Sequence, residues 1–342
     1  MKTIEWREDG VYIIDQTKLP HQLVLIKCED YERIAIAIER MEIRGAPAIG
    51  VAAAMGIALA AKKVANCGSL EEIKKELDKA WRRLQRTRPT ARNLFWALER
   101  MKSAWSSADS PSQIVKKVVD EAIKISEEDV AACRAIGKFG AELISDGDRI
   151  LTHCNAGGLA CVEYGTALGV IRAAHESGKK IFVYASETRP LLQGARLTAF
   201  ELKTEGIPFK LITDNMAAHL MQRRLIDKVL VGADRITRDG YVFNKIGTYG
   251  LALLAKAHGL PFYVAAPVST IDLDITPDRV IIEERDPNEV LYINNVRIAP
   301  EGTKALNPAF DMTPGELVSA IITDKGVAYP PYDLSLLLRQ RN

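Results

Sequence analysis

Arg149-Ile150-Leu151-Thr152-His153-Cys154-Asn155-Ala156-Gly157-Gly158 is a short apolar run that stops at a thiol and a glycine-rich turn. Eighty residues later Lys228-Val229-Leu230-Val231-Gly232-Ala233-Asp234 repeats the arrangement and stops at a carboxyl group. Short apolar runs bounded by turn signals read as buried strands. Further runs at 181–186, 209–213, 261–266 and 320–323 have the same character, and most are separated by helical segments. That alternation predicts an α/β fold with a parallel, doubly wound sheet. In such a sheet the carboxyl ends of the strands line the crevice where ligands bind. Cys154 and Asp234 would then meet one small molecule, and a thiol with a carboxylate can move protons.

Before residue 149 the rhythm is different. Residues 3–28 alternate apolar and polar around the turn Glu8-Asp9-Gly10, which predicts a small antiparallel β element. Helical patterns follow over 31–41, 48–64, 70–86 and 92–104. Ser110-Pro111 then opens a long helix, with proline in its first turn. The expectation is a small, mostly helical domain over 1–130 ending in a linking helix, and a catalytic domain over 131–342. The Ala- and Gly-rich stretch 46–61 is short for a bilayer span and reads as a buried helix.

Composition narrows the function classes. The chain has 342 residues and is 47% apolar, with Lys+Arg 46 against Asp+Glu 44. A net charge of +2 argues against a nucleic-acid stripe and against a polybasic membrane anchor. The first residues carry no apolar signal core. Cys28, Cys67, Cys133, Cys154 and Cys161 are odd in number and contain no CxxC pair, which suits a reducing cytoplasm. Cys154 and Cys161 stand seven apart without a second pair, and the histidines show no ligand spacing, so no metal is expected.

Several segments offer chemistry beside a plainer reading. Asn155-Ala156-Gly157-Gly158 is either an anion nest at the start of a helix containing Gly165 and Ala167 or a tight turn. As a helix start it would favour the Cys154 thiolate. It is not a dinucleotide fingerprint, which weighs against an NAD-dependent dehydrogenase. Arg44-Gly45-Ala46-Pro47-Ala48-Ile49-Gly50 suits a phosphate at a helix N-terminus, or a close helix contact. Arg86, Arg88 and Arg92 cluster at another proline-marked helix start, where a solvated loop is the default. Asn244-Lys245 reads as a helix start after Gly240, with Lys245 available to an oxyanion.

Taken together, several motifs resemble the methylthioribose-1-phosphate isomerase family. They are Arg44 to Gly50, Thr87-Arg88-Pro89-Thr90, Thr152 to Gly157, Ser186-Glu187-Thr188-Arg189-Pro190 with Gln193-Gly194, Thr213-Asp214-Asn215-Met216-Ala217, Gly232-Ala233-Asp234-Arg235, Asn244 to Thr248, and Asn307-Pro308-Ala309-Phe310-Asp311. The resemblance spans nearly the whole chain. It implies a Rossmann-like second domain, a homodimer and a sugar-phosphate substrate, with no cofactor. It implies that Cys154 and Asp234 are the catalytic pair. It also implies that Arg44, Gly45, Ala46, Arg88, Gln193, Asn244 and Lys245 bind the substrate. Rivals within the superfamily are a ribose-1,5-bisphosphate isomerase, a 5-deoxyribose-1-phosphate isomerase and a non-catalytic exchange-factor regulatory subunit.

Overall fold

The computed structural model describes residues 1–64, 69–88 and 91–339. Cys67, the Pro89-Thr90 end of the arginine-rich motif and the terminal Gln340-Arg341 lie outside the described residues. The chain forms two compact units. One is Met1–Arg134 with Gly157–Gly165, and the other is Ala135–Ala156 with Thr166–Asn342.

The first unit opens with an antiparallel sheet of β1 (Ile4–Arg7), β2 (Gly10–Ile14) and β3 (Leu25–Cys28). Helices α1 (Tyr31–Glu39), α2 (Ala46–Val64), α3 (Leu70–Gln85), α4 (Arg92–Ser106) and α5 (Pro111–Ala141) follow. The apolar helix α2 is buried from Ala46 to Ala61 except at Pro47, and packs among α1, α3 and α4. Its small residues permit that approach: a Cβ on Gly50 would lie 2.8 Å from the Asn93 carbonyl oxygen. The start of α3 carries a capping box, in which Ser69 Oγ accepts from Glu72 N–H and Glu72 accepts from Ser69 N–H. Helix α5 begins in this unit and ends in the other, so its last turns supply part of the second core.

The second unit is built on β4 (Arg149–Thr152), β5 (Phe182–Ser186), β6 (Phe209–Ile212), β7 (Lys228–Val231), β8 (Arg235–Thr237), β9 (Val242–Lys245) and β10 (Phe262–Ala265). Then come β11 (Ile271–Asp272), β12 (Tyr292–Ile293), β13 (Val296–Arg297), β14 (Phe310–Thr313), β15 (Ala320–Thr323) and β16 (Gly326–Ala328). Helices α6 (Ala167–Glu176), α7 (Ala199–Thr204), α8 (Met216–Gln222) and α9 (Thr248–Ala257) connect successive strands.

The main sheet has the order β16-β15-β10-β7-β4-β5-β6. All its pairings are parallel except the β15–β16 edge. Numbered along the chain, the parallel strands run 3-2-1-4-5-6, which is the Rossmann order, and the direction of winding reverses between β4 and β7. β4 and β7 are hydrogen-bonded neighbours, with Leu151 opposite Val229. A second sheet, β11-β8-β9-β14, projects beyond the end of β7.

Candidate active site

In the second unit, Cys154 lies two residues past β4 and Asp234 three residues past β7. They therefore leave the carboxyl ends of the two strands that flank the reversal point, strands spaced about 4.8 Å apart. Gly232 lets the two exits converge, since a Cβ there would lie 2.7 Å from the Ala156 Cβ. Both Cys154 and Asp234 are partly exposed. Around them His153, Asn155, Gln193, Asn244 and Lys245 are all buried. A solute can thus reach the thiol and the carboxyl, while a buried polar shell holds their surroundings.

That shell is hydrogen-bonded in detail. The strand does not continue past Thr152, because Cys154 adopts φ 62. Its N–H donates to Thr188 Oγ1 at 2.8 Å, and its C=O accepts from Thr198 Oγ1 at 2.6 Å. Thr188 itself sits at φ 65, which is costly for a β-branched residue. Three bonds hold it there: its N–H donates to Asp214 Oδ1 at 2.8 Å, its hydroxyl donates to the Ser186 carbonyl at 3.1 Å, and the same oxygen accepts from Cys154. Asn155 donates to Thr198 Oγ1 and to Glu201 Oε1 at 2.8 Å. Gln193 lies on the turn after β5, and its Oε1 is buried without a hydrogen-bond donor among the described residues.

His153 ties this turn to the second sheet. Its Nδ1 lies 2.6 Å from Ser186 Oγ and its Nε2 lies 2.9 Å from the Ile246 carbonyl. A carbonyl can only accept, so Nε2 carries the proton and Nδ1 accepts from the serine. Burial lowers the His153 pKa, so the neutral ring prevails near neutrality.

The motif 307–311 builds the wall around Asn244 and Lys245. Lys245 Nζ donates to the Ala309 carbonyl at 3.0 Å and stands 4.8 Å above the Phe310 ring. Asn244 Nδ2 donates to Thr248 Oγ1 at 3.0 Å. Asp311 accepts from the N–H groups of Gly247 and Tyr249 at the start of α9, and burial raises its pKa to about 6. Asp234 N–H donates to the Phe243 carbonyl at 2.9 Å, one residue from Asn244.

Two local expectations are corrected. Asn244 and Lys245 end strand β9, and α9 begins only at Thr248, because β9 is held between β8 and β14. The turn after Cys154 opens no α-helix directly: a 3₁₀ turn, Gly158–Ala160, comes first and α6 starts at Ala167. The intervening loop closes on itself through Gly157 and Gly165, so no helix N-terminus follows the thiol in the chain as expected.

Arg44, Gly45, Ala46 and Arg88 belong to the first unit. Arg44 is buried and its Nε donates to Gln16 Oε1 at 3.0 Å, while Gln16 Nε2 donates to the Leu159 carbonyl. Gly45 has φ 96, and a Cβ there would lie 2.5 Å from the Ala160 Cα, so this position admits only glycine. Ala46 starts α2, and Arg88 is half-buried after α3. The close-contact reading thus holds for Gly45 and Gly50. It leaves the amides at the α2 N-terminus and the Arg44 charge as features that suit an anion.

Residues 42–330 match the Initiation factor 2 subunit family. The chain belongs to that family. Among its relatives, methylthioribose-1-phosphate isomerase of Acetivibrio thermocellus is 54% identical over 336 residues, covering 97% of this chain and 98% of that one. The crystal structure of 5-methylthioribose 1-phosphate isomerase from Pyrococcus horikoshii superposes with a TM-score of 0.92 at 46% identity, covering 99% and 96% of the two chains. A family member from A. fulgidus described as translation initiation factor eIF-2B, subunit delta, gives a TM-score of 0.88 at 50% identity and covers 99% of both.

Proposed function

We propose that this protein is an aldose–ketose isomerase that converts 5-methylthioribose 1-phosphate to 5-methylthioribulose 1-phosphate, a step of methionine salvage. The single observation that carries the reading is the pair Cys154 and Asp234 leaving the two strands at the reversal point. Near-full-length relatives named for this activity supply the substrate. With phosphate on the anomeric oxygen, the ring cannot open spontaneously. Asp234 gives a proton to the ring oxygen as the C1–O bond breaks. Cys154, as thiolate, takes the proton from C2 and leaves an enol phosphate. Return of that proton to C1, with loss of the C2 hydroxyl proton to Asp234, yields the ketose and restores both groups. The steps are redox-neutral and need no cofactor.

Within the second unit Lys245 serves an oxyanion of the substrate; within the first, Arg44, Arg88 and the amides near Gly45 and Ala46 are the groups suited to a phosphate dianion. The Gln193 oxygen accepts from a sugar hydroxyl, which relieves a buried acceptor worth about 1–3 kcal/mol when unsatisfied. Asn244 orients a second hydroxyl. The enzyme works in the cytoplasm as a homodimer, and a monomer mass in light scattering would reject the dimer.

Cys154→Ser and Asp234→Asn should each lower kcat by about 10²–10⁴ with the fold intact. Turnover in D₂O should place solvent deuterium at C1, whereas a hydride shift would leave C1 unlabelled. Near-normal kcat in either variant removes that residue from the mechanism. An exchange-factor subunit, the description carried by the A. fulgidus relative, would show no turnover at all.

A further inference from the structure

Three ligating side chains converge in the first unit, and none belongs to the site above. Asp129 and Cys133 stand four residues apart on α5 and share a face. Cys161 follows the Gly158–Ala160 turn. One carboxylate oxygen and the two sulfurs lie within 4.8 Å of one another. The sequence spacing pointed away from this, because Cys161 is near Cys154 in the chain but meets Cys133 in space. We propose that Asp129, Cys133 and Cys161 bind a thiophilic divalent cation of the zinc class, which clamps the 157–165 loop to α5.

Thiolates choose soft or borderline metals over magnesium or calcium. Zinc–sulfur bonds of about 2.3 Å in a tetrahedron put the sulfurs about 3.8 Å apart, which falls inside the 4.8 Å limit of the cluster. Asp129 Oδ2 accepts from Val162 N–H at 2.7 Å. Such a bond orients a ligating carboxylate and has no function in a disulfide. The loop is already anchored: Thr3 Oγ1 donates to the Gly158 carbonyl and Gln16 Nε2 to the Leu159 carbonyl, each at 2.7 Å, and Arg134 pairs with Glu163. Ordering the ligands therefore costs little on binding. Cys133 and Cys161 are 0% and 1% exposed, whereas Asp129 is partly exposed. A water completes the fourth position of the bound ion.

The test is a Co²⁺ titration of the full-length protein, reduced and freed of metal. One equivalent should produce thiolate-to-cobalt charge-transfer absorption, which Zn²⁺ abolishes, and Zn²⁺ should raise Tm. Cys133→Ser and Cys161→Ser should each lose the absorption, and Asp129→Asn should weaken Co²⁺ by about tenfold or more. Cys154→Ser should keep it. Isomerase activity under excess reductant should survive Cys161→Ser, which confirms that the variant folds. Absence of the absorption in the wild-type protein overturns the proposal. So does absorption that persists in the Cys133→Ser/Cys161→Ser double variant, or a Cys133–Cys161 disulfide in the protein as purified.

Discussion

Cys154 is held in its left-handed backbone conformation by two threonine hydroxyls. Thr188→Val tests this, since valine keeps the shape and the strained φ but not the oxygen. It leaves the Cys154 N–H without that acceptor, so stability should fall by about 1–3 kcal/mol in urea unfolding. kcat should fall while KM changes little; an unchanged kcat would mean the thiol finds its place without Thr188. His153 and Asp311 make opposite contributions to the pH dependence of stability. The folded His153 refuses a proton that the unfolded ring accepts below its ordinary value of 6.5, so stability drops as pH falls through that value. The folded Asp311 keeps a proton that the unfolded carboxyl releases, so stability drops as pH rises from 3.8 to about 6. Between pH 5 and 7, His153→Asn should therefore gain less stability than the wild type. Between pH 4 and 6, Asp311→Asn should lose less. Parallel curves for wild type and either variant would refute that residue's share.

The turns beyond the strands carry more information than the strands themselves. Gly194 follows Gln193, and a Cβ on it would fall 1.7 Å from the Ser186 carbonyl oxygen, with Thr188 Oγ1 at 3.0 Å. The turn after β5 must therefore open if anything larger stands there. Gly194→Ala should lower the urea midpoint and displace Gln193 and Thr188 together, with a lower kcat and a higher KM. A variant with normal kinetics would show that the turn tolerates the methyl group. The six parallel strands were legible because each is a short apolar run ending at a turn. The sheet β11-β8-β9-β14 was not, because its strands are two to four residues long and too short to show a period. Its register came from long-range pairing, such as Asn244 opposite Asp311. Hence Lys245 was placed on a helix that starts three residues later.

Each unit has a core of its own, so damage can be directed at one of them. Leu77, buried between the helices of the first unit, contributes nothing to the Rossmann-ordered sheet. Leu77→Ala should cost about 2–5 kcal/mol, read as the shift in unfolding free energy. Substrate choice tests the functional reading for the protein entire. kcat/KM for methylthioribose 1-phosphate should exceed that for ribose 1,5-bisphosphate, which carries a second dianion that must be neutralised. The reverse preference would assign the protein to the bisphosphate reaction.

Apolar runs, glycine turns and helical periods are local quantities, and they were enough to place six parallel strands, five N-terminal helices, Cys154 and Asp234. Their legibility has a plain cause: a buried strand or amphipathic helix must write its period into neighbouring residues. Threonine hydroxyls at positions 188 and 198, the His153 ring between Ser186 and Ile246, and the meeting of Cys161 with Cys133 were decided only when the chain closed. Those contacts join residues tens to nearly a hundred positions apart, and no periodicity records which distant partner a hydroxyl, an imidazole or a thiol will find.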